Sequence, residues 1–265
     1  MNARPNDSLR AYLNLVFAGL QILTPTLAPV FEIGRDIGSR SAEVRTPVVP
    51  AGYAFSIWSA IYPATLAYAV WQCLPAQRRS PLLRSIGWWT AGAFLTNALW
   101  PIGVQLNTFD PLSLVLIVAE AVCLCAAMLR MRPYRATMTR TELALVRVPL
   151  SVFAGWVTAA TFVNFAATLR VSNLFPTGAN EVPMSMAILG IAGSFAGWMT
   201  WRLRGSLGYL FAVVWALVAV AWANTHPPDH PTVAWTAGAL AAMLFGLGVR
   251  WKLRSAPFVV SGDSE

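Results

Sequence analysis

The sequence has few charged residues for its length. Only 11% of its 265 residues are Asp, Glu, Lys or Arg, whereas soluble domains have roughly 25%. Apolar residues make up 57% of the chain, and the mean hydropathy is +0.56. A soluble fold of this size could not cover its surface with so few charges. The composition therefore excludes a soluble domain and indicates an integral membrane protein.

Cysteine and histidine are also scarce. The three cysteines form no CxxC pair, so neither a disulfide framework nor a zinc site is predicted. His226, Asp229 and His230 lie close together in the chain, but Pro227 and Pro228 prevent the shared helix face that two-histidine motifs use. We therefore expect no metal site.

Eight apolar runs are each close to the roughly 20 residues that a membrane-spanning helix needs. Short connections rich in Pro and Gly separate the runs, and no strand-like alternation occurs. We predict an all-α, polytopic membrane helix bundle of about eight transmembrane helices. The runs cover residues 11–31, 51–74, 86–106, 111–131, 146–169, 183–203, 207–224 and 232–252.

The net charge of +8 is explained by topology, and no nucleic-acid partner is expected. With the N-terminus in the cytoplasm, 15 of the 19 Lys and Arg residues fall on the cytoplasmic side of the eight spans. Only Arg35, Arg40, Arg45 and Arg170 fall outside. Cytoplasmic loops of membrane proteins carry such an excess of Lys and Arg. We therefore predict a multi-pass protein of the cell membrane with both termini in the cytoplasm.

The connection over residues 32–50 is the longest outside segment and carries charges of both signs. Long loops in compact domains are often lids or binding loops. A plain solvated loop is the alternative.

Aromatic and amide residues recur on single faces of three spans. Phe55, Trp58 and Tyr62 are spaced i, i+3, i+7, and Trp156, Ala160 and Asn164 are spaced i, i+4, i+8, so each trio shares one helix face. On the third span, Asn97 and Trp100 are three residues apart. An amide in hydrocarbon costs free energy unless it is paired, so these groups should face the bundle interior. They predict a small-molecule pocket; amides that only join helices are the alternative.

Glu120 is an acid in the middle of the fourth span. A carboxylate at this depth is costly, so it is protonated, paired or facing a wet cavity. The nearest cationic candidate in the sequence is Arg147. Glu120 is thus a candidate functional acid, with neutral helix packing as the alternative.

Three segments together resemble one known family. Residues 50–62, PAGYAFSIWSAIY, resemble the aromatic signature of the TspO/MBR family, the tryptophan-rich sensory or translocator proteins, with Trp58 and Tyr62 at its final Trp-to-Tyr spacing. Residues 97–101, NALWP, resemble the third-helix motif of that family. The eight-residue gap from Trp156 to Asn164 matches its fifth-helix motif.

The resemblance implies a five-helix bundle over residues 1–170 that encloses a pocket for porphyrins, sterols or related apolar aromatics, with the 32–50 loop as its lid. Residues 171–265 would add a three-helix extension that five-helix members lack. The implied ligand is an apolar small molecule, a porphyrin- or haem-like one included; the other partners are membrane lipid and, as an open expectation, a second copy of the chain. The implied ligand-binding residues are Phe55, Trp58, Tyr62, Asn97, Trp100, Trp156, Ala160 and Asn164.

Several functions agree with these features. A sensory or translocator protein that binds a tetrapyrrole- or sterol-like molecule is favoured, and a secondary transporter of a small apolar or amphipathic solute is the alternative. Glu120 is the only acid deep within a span, so the sequence favours binding or transport over catalysis. Two hypotheses remain. The protein could break down a bound porphyrin at the tryptophan-lined pocket, or it could be a structural helix bundle.

Overall fold

A computed structural model describes residues 6–227 and 229–254, with side chains to residue 251. Arg4 and the side chains of Lys252 and Arg254, expected on the cytoplasmic side, lie outside the described residues, as does Pro228. The described chain is helical and contains no strand, which confirms the all-α prediction. Its α-helices, α1 to α12 in chain order, are Asn6–Leu23, Leu27–Phe31, Ile37–Glu43, Trp58–Gln72, Pro75–Arg78, Pro81–Leu106, Pro111–Met131, Arg140–Glu142, Val148–Val171, Glu181–Arg202, Leu207–Ala223 and Pro231–Arg254.

Five helical segments within the described residues are long and apolar enough to cross a membrane. They cover Asn6–Phe31, Pro111–Tyr134, Arg140–Val171, Gly178–Arg202 and Pro231–Trp251. The shorter helix α11 is also apolar. Large apolar side chains such as Trp235 (80% exposed) and Val115 (63% exposed) face outward. Such exposure would be unfavourable in water and suits a lipid environment.

The first span differs from the predicted continuous run over 11–31. Helix α1 is already present at Asn6, where the described residues begin, and its Asp7 pairs with Arg84 of α6 at 2.5 Å between Oδ2 and Nη2. It then breaks into a 3₁₀ turn over Thr24–Thr26 before α2, because Pro25 lacks the N–H that a continuous helix would use.

Two other predicted spans begin with irregular turns. A 3₁₀ segment over Gly52–Ile57 precedes α4, so the aromatic signature straddles a helix start. A π-helical turn over Leu143–Arg147 precedes α9. By contrast, α7 follows its prediction closely, because Asp110 caps it by accepting a hydrogen bond from the backbone N–H of Ser113 at 2.8 Å, with Pro111 at its first position.

Buried polar groups join α1, α4 and α6. Gln21 donates to the Thr65 hydroxyl at 2.9 Å and accepts from the Asn97 amide at 3.0 Å. The hydroxyl of Thr90 donates to Asn14 at 2.6 Å. Hydrogen bonds of this kind join transmembrane helices, because the hydrophobic effect does not drive helices together in lipid.

The C-terminal helices pack tightly on α9 and on one another. A Cβ added to Gly155 of α9 would lie 2.3 Å from the carbonyl oxygen of Tyr209 in α11, and one added to Gly248 of α12 would lie 2.0 Å from the Leu210 side chain. Glycine permits these close approaches because it has no side chain. Helix α11 therefore lies directly against the fifth predicted span.

Contacts at the helix ends define two ends of the bundle. The 32–50 segment bonds to Gln105 near the end of α6 and to Asn224 after α11, whereas Arg135 after α7 bonds to Arg204 after α10. One end carries the 32–50 segment and is called the lid face. The other carries the connections between α7 and α9 and between α10 and α11, and is called the arginine face.

Candidate ligand cavity

The 32–50 segment is a folded cap and not an open loop. It contains helix α3, whose Ile37 and Ser41 face an internal cavity. The backbone N–H of Arg35 donates to the Gln105 carbonyl of α6 at 3.0 Å. The buried Gln105 amide in turn accepts from the Ala28 N–H at 2.8 Å. One side of the cap is therefore fixed to the end of α6.

Helix α11 holds the other side of the cap. The buried Asn224, which follows α11, donates its amide to the Pro47 carbonyl at 2.7 Å. The Ala51 N–H donates to the Ala219 carbonyl at 3.0 Å. The cap thus spans from α6 to a helix of the predicted C-terminal extension, which gives that extension a direct contact with the cap.

Asp36 begins the cap helix. Its carboxylate accepts hydrogen bonds from the backbone N–H of Ser39, at 2.9 Å, and from the Ser39 hydroxyl. These hydrogen bonds lower the pKa of Asp36 below its ordinary value. The capping interaction is therefore fully present at neutral pH and is lost as the pH falls through that lowered pKa.

Beneath the cap lies an outer compartment of about 530 Å³. Its aromatic wall comes from the predicted trio Phe55, Trp58 and Tyr62, with Trp100 of α6 beside them. Arg45 is exposed and lines the same compartment. An aromatic chamber with a guanidinium at its edge can accept a flat apolar molecule that carries an anionic group.

A second, inner compartment of about 80 Å³ lies deeper in the bundle. Trp156, Ala160 and Asn164 of α9 line it, so the second predicted trio also faces inward. Phe55 and Trp100 line both compartments, as do Ile37, Ser41 and Pro50. These five residues therefore form the boundary between the compartments, and Phe55 and Trp100 contribute its aromatic rings.

The aromatic side chains around the boundary pack against one another. Trp58 and Tyr62 stack with ring centres 4.8 Å apart. Trp156 meets Phe55 edge to face at 5.8 Å and Trp58 at 6.2 Å. Such pairs fix ring orientation more strongly than apolar burial alone.

The polar groups of the inner compartment differ in whether they are paired. The Trp100 indole N–H donates to the Asn164 side-chain oxygen at 2.8 Å, and the Asn164 amide donates to the Ser113 hydroxyl at 3.2 Å. The Trp156 indole N–H is buried and has no acceptor among the described residues. Buried donors are nearly always satisfied, so the Trp156 N–H is a candidate donor to a bound molecule.

Asn97 is the one predicted pocket residue that lines neither compartment. It is 1% exposed and donates to Gln21 between α6 and α1. Asn97 therefore joins two helices, which is the alternative to a pocket role that the sequence analysis left open.

Helices α10 and α11 complete the inner wall, which sequence reasoning missed. Ile188 and Leu189 of α10, with Ala216, Leu217 and Val220 of α11, line the inner compartment. These side chains are apolar and carry no polar group, so nothing in the sequence distinguishes them from lipid-facing residues. Asn224 and Gln105, polar residues at helix ends beside the cap, are a signal that could have located the cap's attachments.

Glu120 lies in α7, outside both compartments. It is 2% exposed, and its Oε1 atom has no hydrogen-bond partner among the described residues. The carboxyl interacts electrostatically with Tyr62, which lines the outer compartment. The sequence candidate for its partner, Arg147, lines a pocket at the arginine face instead.

The fold and cavity define a class of protein: a membrane helical bundle with an aromatic chamber beneath a folded cap. Sequence comparison then gives the family. The sequence model of the TSPO-like proteins matches residues 11–250, and the chain belongs to this family.

The match extends through α10 and α11 and most of α12 as well as the first five predicted spans. No curated protein and no solved structure matches the chain. The division at residue 170 stays a prediction.

Proposed function

We propose that this protein binds an apolar aromatic small molecule, tetrapyrrole- or sterol-like, in the two-compartment cavity, in a sensory or translocator role. The observation that carries the proposal is the joining of both predicted aromatic faces around one capped chamber. Seven of the eight residues proposed from sequence line it, all but Asn97. Family membership supports a protein of the TspO type.

The chamber's size and polar groups narrow the range of ligands that fit it. Small-molecule pockets usually measure roughly 300–1,000 Å³, so the outer compartment of about 530 Å³ suits the body of such a ligand. The inner compartment takes only a substituent. The Trp156 N–H and the Arg45 guanidinium both favour a hydrogen-bond acceptor, and a carboxylate suits Arg45 best. These groups favour a carboxylate-bearing tetrapyrrole over a sterol.

Titration of the purified full chain with protoporphyrin tests the proposal. Binding should quench tryptophan fluorescence, because Trp58, Trp100 and Trp156 surround the chamber. Ala160→Phe fills the inner compartment and should raise the Kd about tenfold or more, since overpacking a fitted site costs about 1–3 kcal/mol. Ala126→Phe is the matched control, because Ala126 lines a groove on the outside of the bundle and lines neither compartment. Equal affinity in both variants and in the unaltered protein would contradict the cavity assignment.

We also propose that all eight long helices cross the cell membrane, with the arginine face and both termini in the cytoplasm. The excess of arginine on one side supports this orientation. In a chain whose native cysteines are replaced, Ser39→Cys at the lid face should react with an impermeant maleimide added to whole cells. Thr137→Cys at the arginine face should react only after the cells are opened. The reverse pattern would overturn the orientation.

A secondary transporter is the second candidate function, and Glu120 is the observation that favours it. Intramembrane acids often mark ion or proton pathways, and this one lies near Tyr62 at the chamber wall. Counterflow of labelled protoporphyrin in proteoliposomes, abolished by Glu120→Gln, would support transport. Protoporphyrin binding without counterflow would contradict transport and favour the sensory role.

A further inference from the structure

A second cavity opens at the arginine face, and its wall shares no residue with the aromatic chamber. It has a volume of about 650 Å³ and contains four arginines and no acidic residue in its wall. Arg132 and Arg135 come from the connection after α7, Arg147 from the start of α9, and Arg204 from the connection after α10. Arginines from three separate parts of the chain therefore converge on one concavity.

The positive charges in this pocket are not neutralised within the described chain. No ion pair to these four arginines occurs among the described residues. Arg135 and Arg147 interact electrostatically as like charges. Arg135 also donates to the Arg204 carbonyl at 3.4 Å, which keeps the two chain segments together. Like charges brought together in a concave site favour an anion that offsets their repulsion.

Two backbone irregularities occur at this pocket. Arg147 closes the π-helical turn over Leu143–Arg147, and such turns often occur at functional sites. Arg204 has φ of 50°, in the left-handed region in which many helices end, and it follows the C-terminus of α10. A π turn and a helix end therefore place two of the four arginines at this pocket.

An apolar groove continues from the pocket along the outside of the bundle. The groove has a volume of about 420 Å³ and runs between α7, α9 and α10. Leu129 lines both the groove and the arginine pocket, so the two are adjoining. Trp198 borders the groove, and the Arg202 guanidinium lies 5.9 Å from its ring centre. Trp and Arg in this arrangement are typical of the membrane–water interface.

We propose that the arginine pocket and this groove together form a binding site for one anionic glycerophospholipid. The phosphate lies among Arg132, Arg135, Arg147 and Arg204, and an acyl chain lies in the apolar groove. Basic pockets between transmembrane helices bind anionic lipid headgroups in this way. An apolar channel leading from the pocket into the membrane distinguishes a lipid from a free anion. This site is independent of the proposed function of the aromatic chamber.

Thermal unfolding of the full chain in a neutral detergent tests the site, because a ligand that binds the native state raises Tm. Phosphatidylglycerol should raise Tm, whereas phosphatidylcholine and inorganic phosphate should not. The double variant Arg135→Gln/Arg147→Gln should weaken the apparent affinity for phosphatidylglycerol about tenfold or more, since each arginine near a membrane surface contributes about 1 kcal/mol. The matched control is Arg79→Gln/Arg140→Gln, which removes two exposed arginines outside the pocket.

The groove has its own variant. Ala126→Phe should reduce stabilisation by phosphatidylglycerol while leaving protoporphyrin binding unchanged. If inorganic phosphate stabilises as strongly as the lipid, the site is a free-anion site and the proposal is wrong. Equal lipid response in both double variants would also overturn it.

If the Arg135→Gln/Arg147→Gln protein fails to fold, native mass spectrometry of the unaltered chain decides the question. The protein should retain phosphatidylglycerol over phosphatidylcholine from an equal mixture. Equal retention would overturn the proposal.

Discussion

Replacing Trp156 with phenylalanine tests the chemistry of the inner compartment most sharply. The Trp156 indole N–H is buried and has no acceptor among the residues that the structure describes, a condition that costs about 1–3 kcal/mol. Trp156→Phe removes this donor and keeps an aromatic ring near Phe55 and Trp58. The variant loses some packing but also loses the unsatisfied donor, so the two effects on the free energy of unfolding oppose each other. We expect Tm to change little.

Ligand binding should respond differently to the same change. A hydrogen bond from an indole N–H to a carboxylate contributes about 1.5–3 kcal/mol, which corresponds to a roughly tenfold to hundredfold rise in the Kd on its loss. The assay is protoporphyrin titration followed by porphyrin absorbance, because the substitution itself alters tryptophan fluorescence. The methyl ester of protoporphyrin has no carboxylate, so Trp156→Phe should reduce the affinity for the ester less than the affinity for the acid.

Trp88→Phe is the matched control for this experiment, because Trp88 is 46% exposed and lines neither compartment. It should leave the Kd unchanged. An unchanged Kd in Trp156→Phe, with native Tm, would refute the assignment of the free indole N–H to the ligand.

Two further predictions concern the C-terminal helices. Gly155→Ala should lower the free energy of unfolding by about 1–3 kcal/mol, because its Cβ would lie 2.3 Å from the Tyr209 carbonyl; thermal unfolding should show no such loss for Gly190→Ala, which has open space around it. Asn224→Ala leaves the Pro47 carbonyl without its side-chain donor, a loss that costs about 1–3 kcal/mol. The rates of hydrogen exchange in the cap and of ligand dissociation should both rise, by at most the factor that corresponds to this free energy. Unaltered exchange across residues 44–54 would show that α11 does not hold the cap.

The helical architecture could be predicted because apolar length and capping residues act locally. Helix α7 covers Pro111–Met131, the predicted run, since Asp110 and Pro111 mark its start in the sequence itself. The 3₁₀ segment at Gly52–Ile57 and the π turn at Leu143–Arg147 were not predicted. These depend on how the segment ends pack against other helices, and a hydropathy pattern carries no information on that.

The candidate site was predictable only in part, for a related reason. Helical periodicity placed Trp58 with Tyr62 and Trp156 with Asn164 on shared faces, and both faces line the cavity. Periodicity says which residues share a face but not which helices meet. Ile188 and Leu217 therefore could not be assigned to the wall, since they resemble any lipid-facing side chain.

Photolabelling tests the central claim most directly. A protoporphyrin derivative carrying a diazirine, bound to the full chain and irradiated, should label peptides that contain Phe55 to Tyr62, residues 153–164 of α9 and the 188–192 turn of α10. Excess unlabelled protoporphyrin should suppress this labelling. Saturable labelling restricted to outward-facing residues such as Val115 or Trp235 would contradict the account, because it would place the ligand against the lipid-exposed surface.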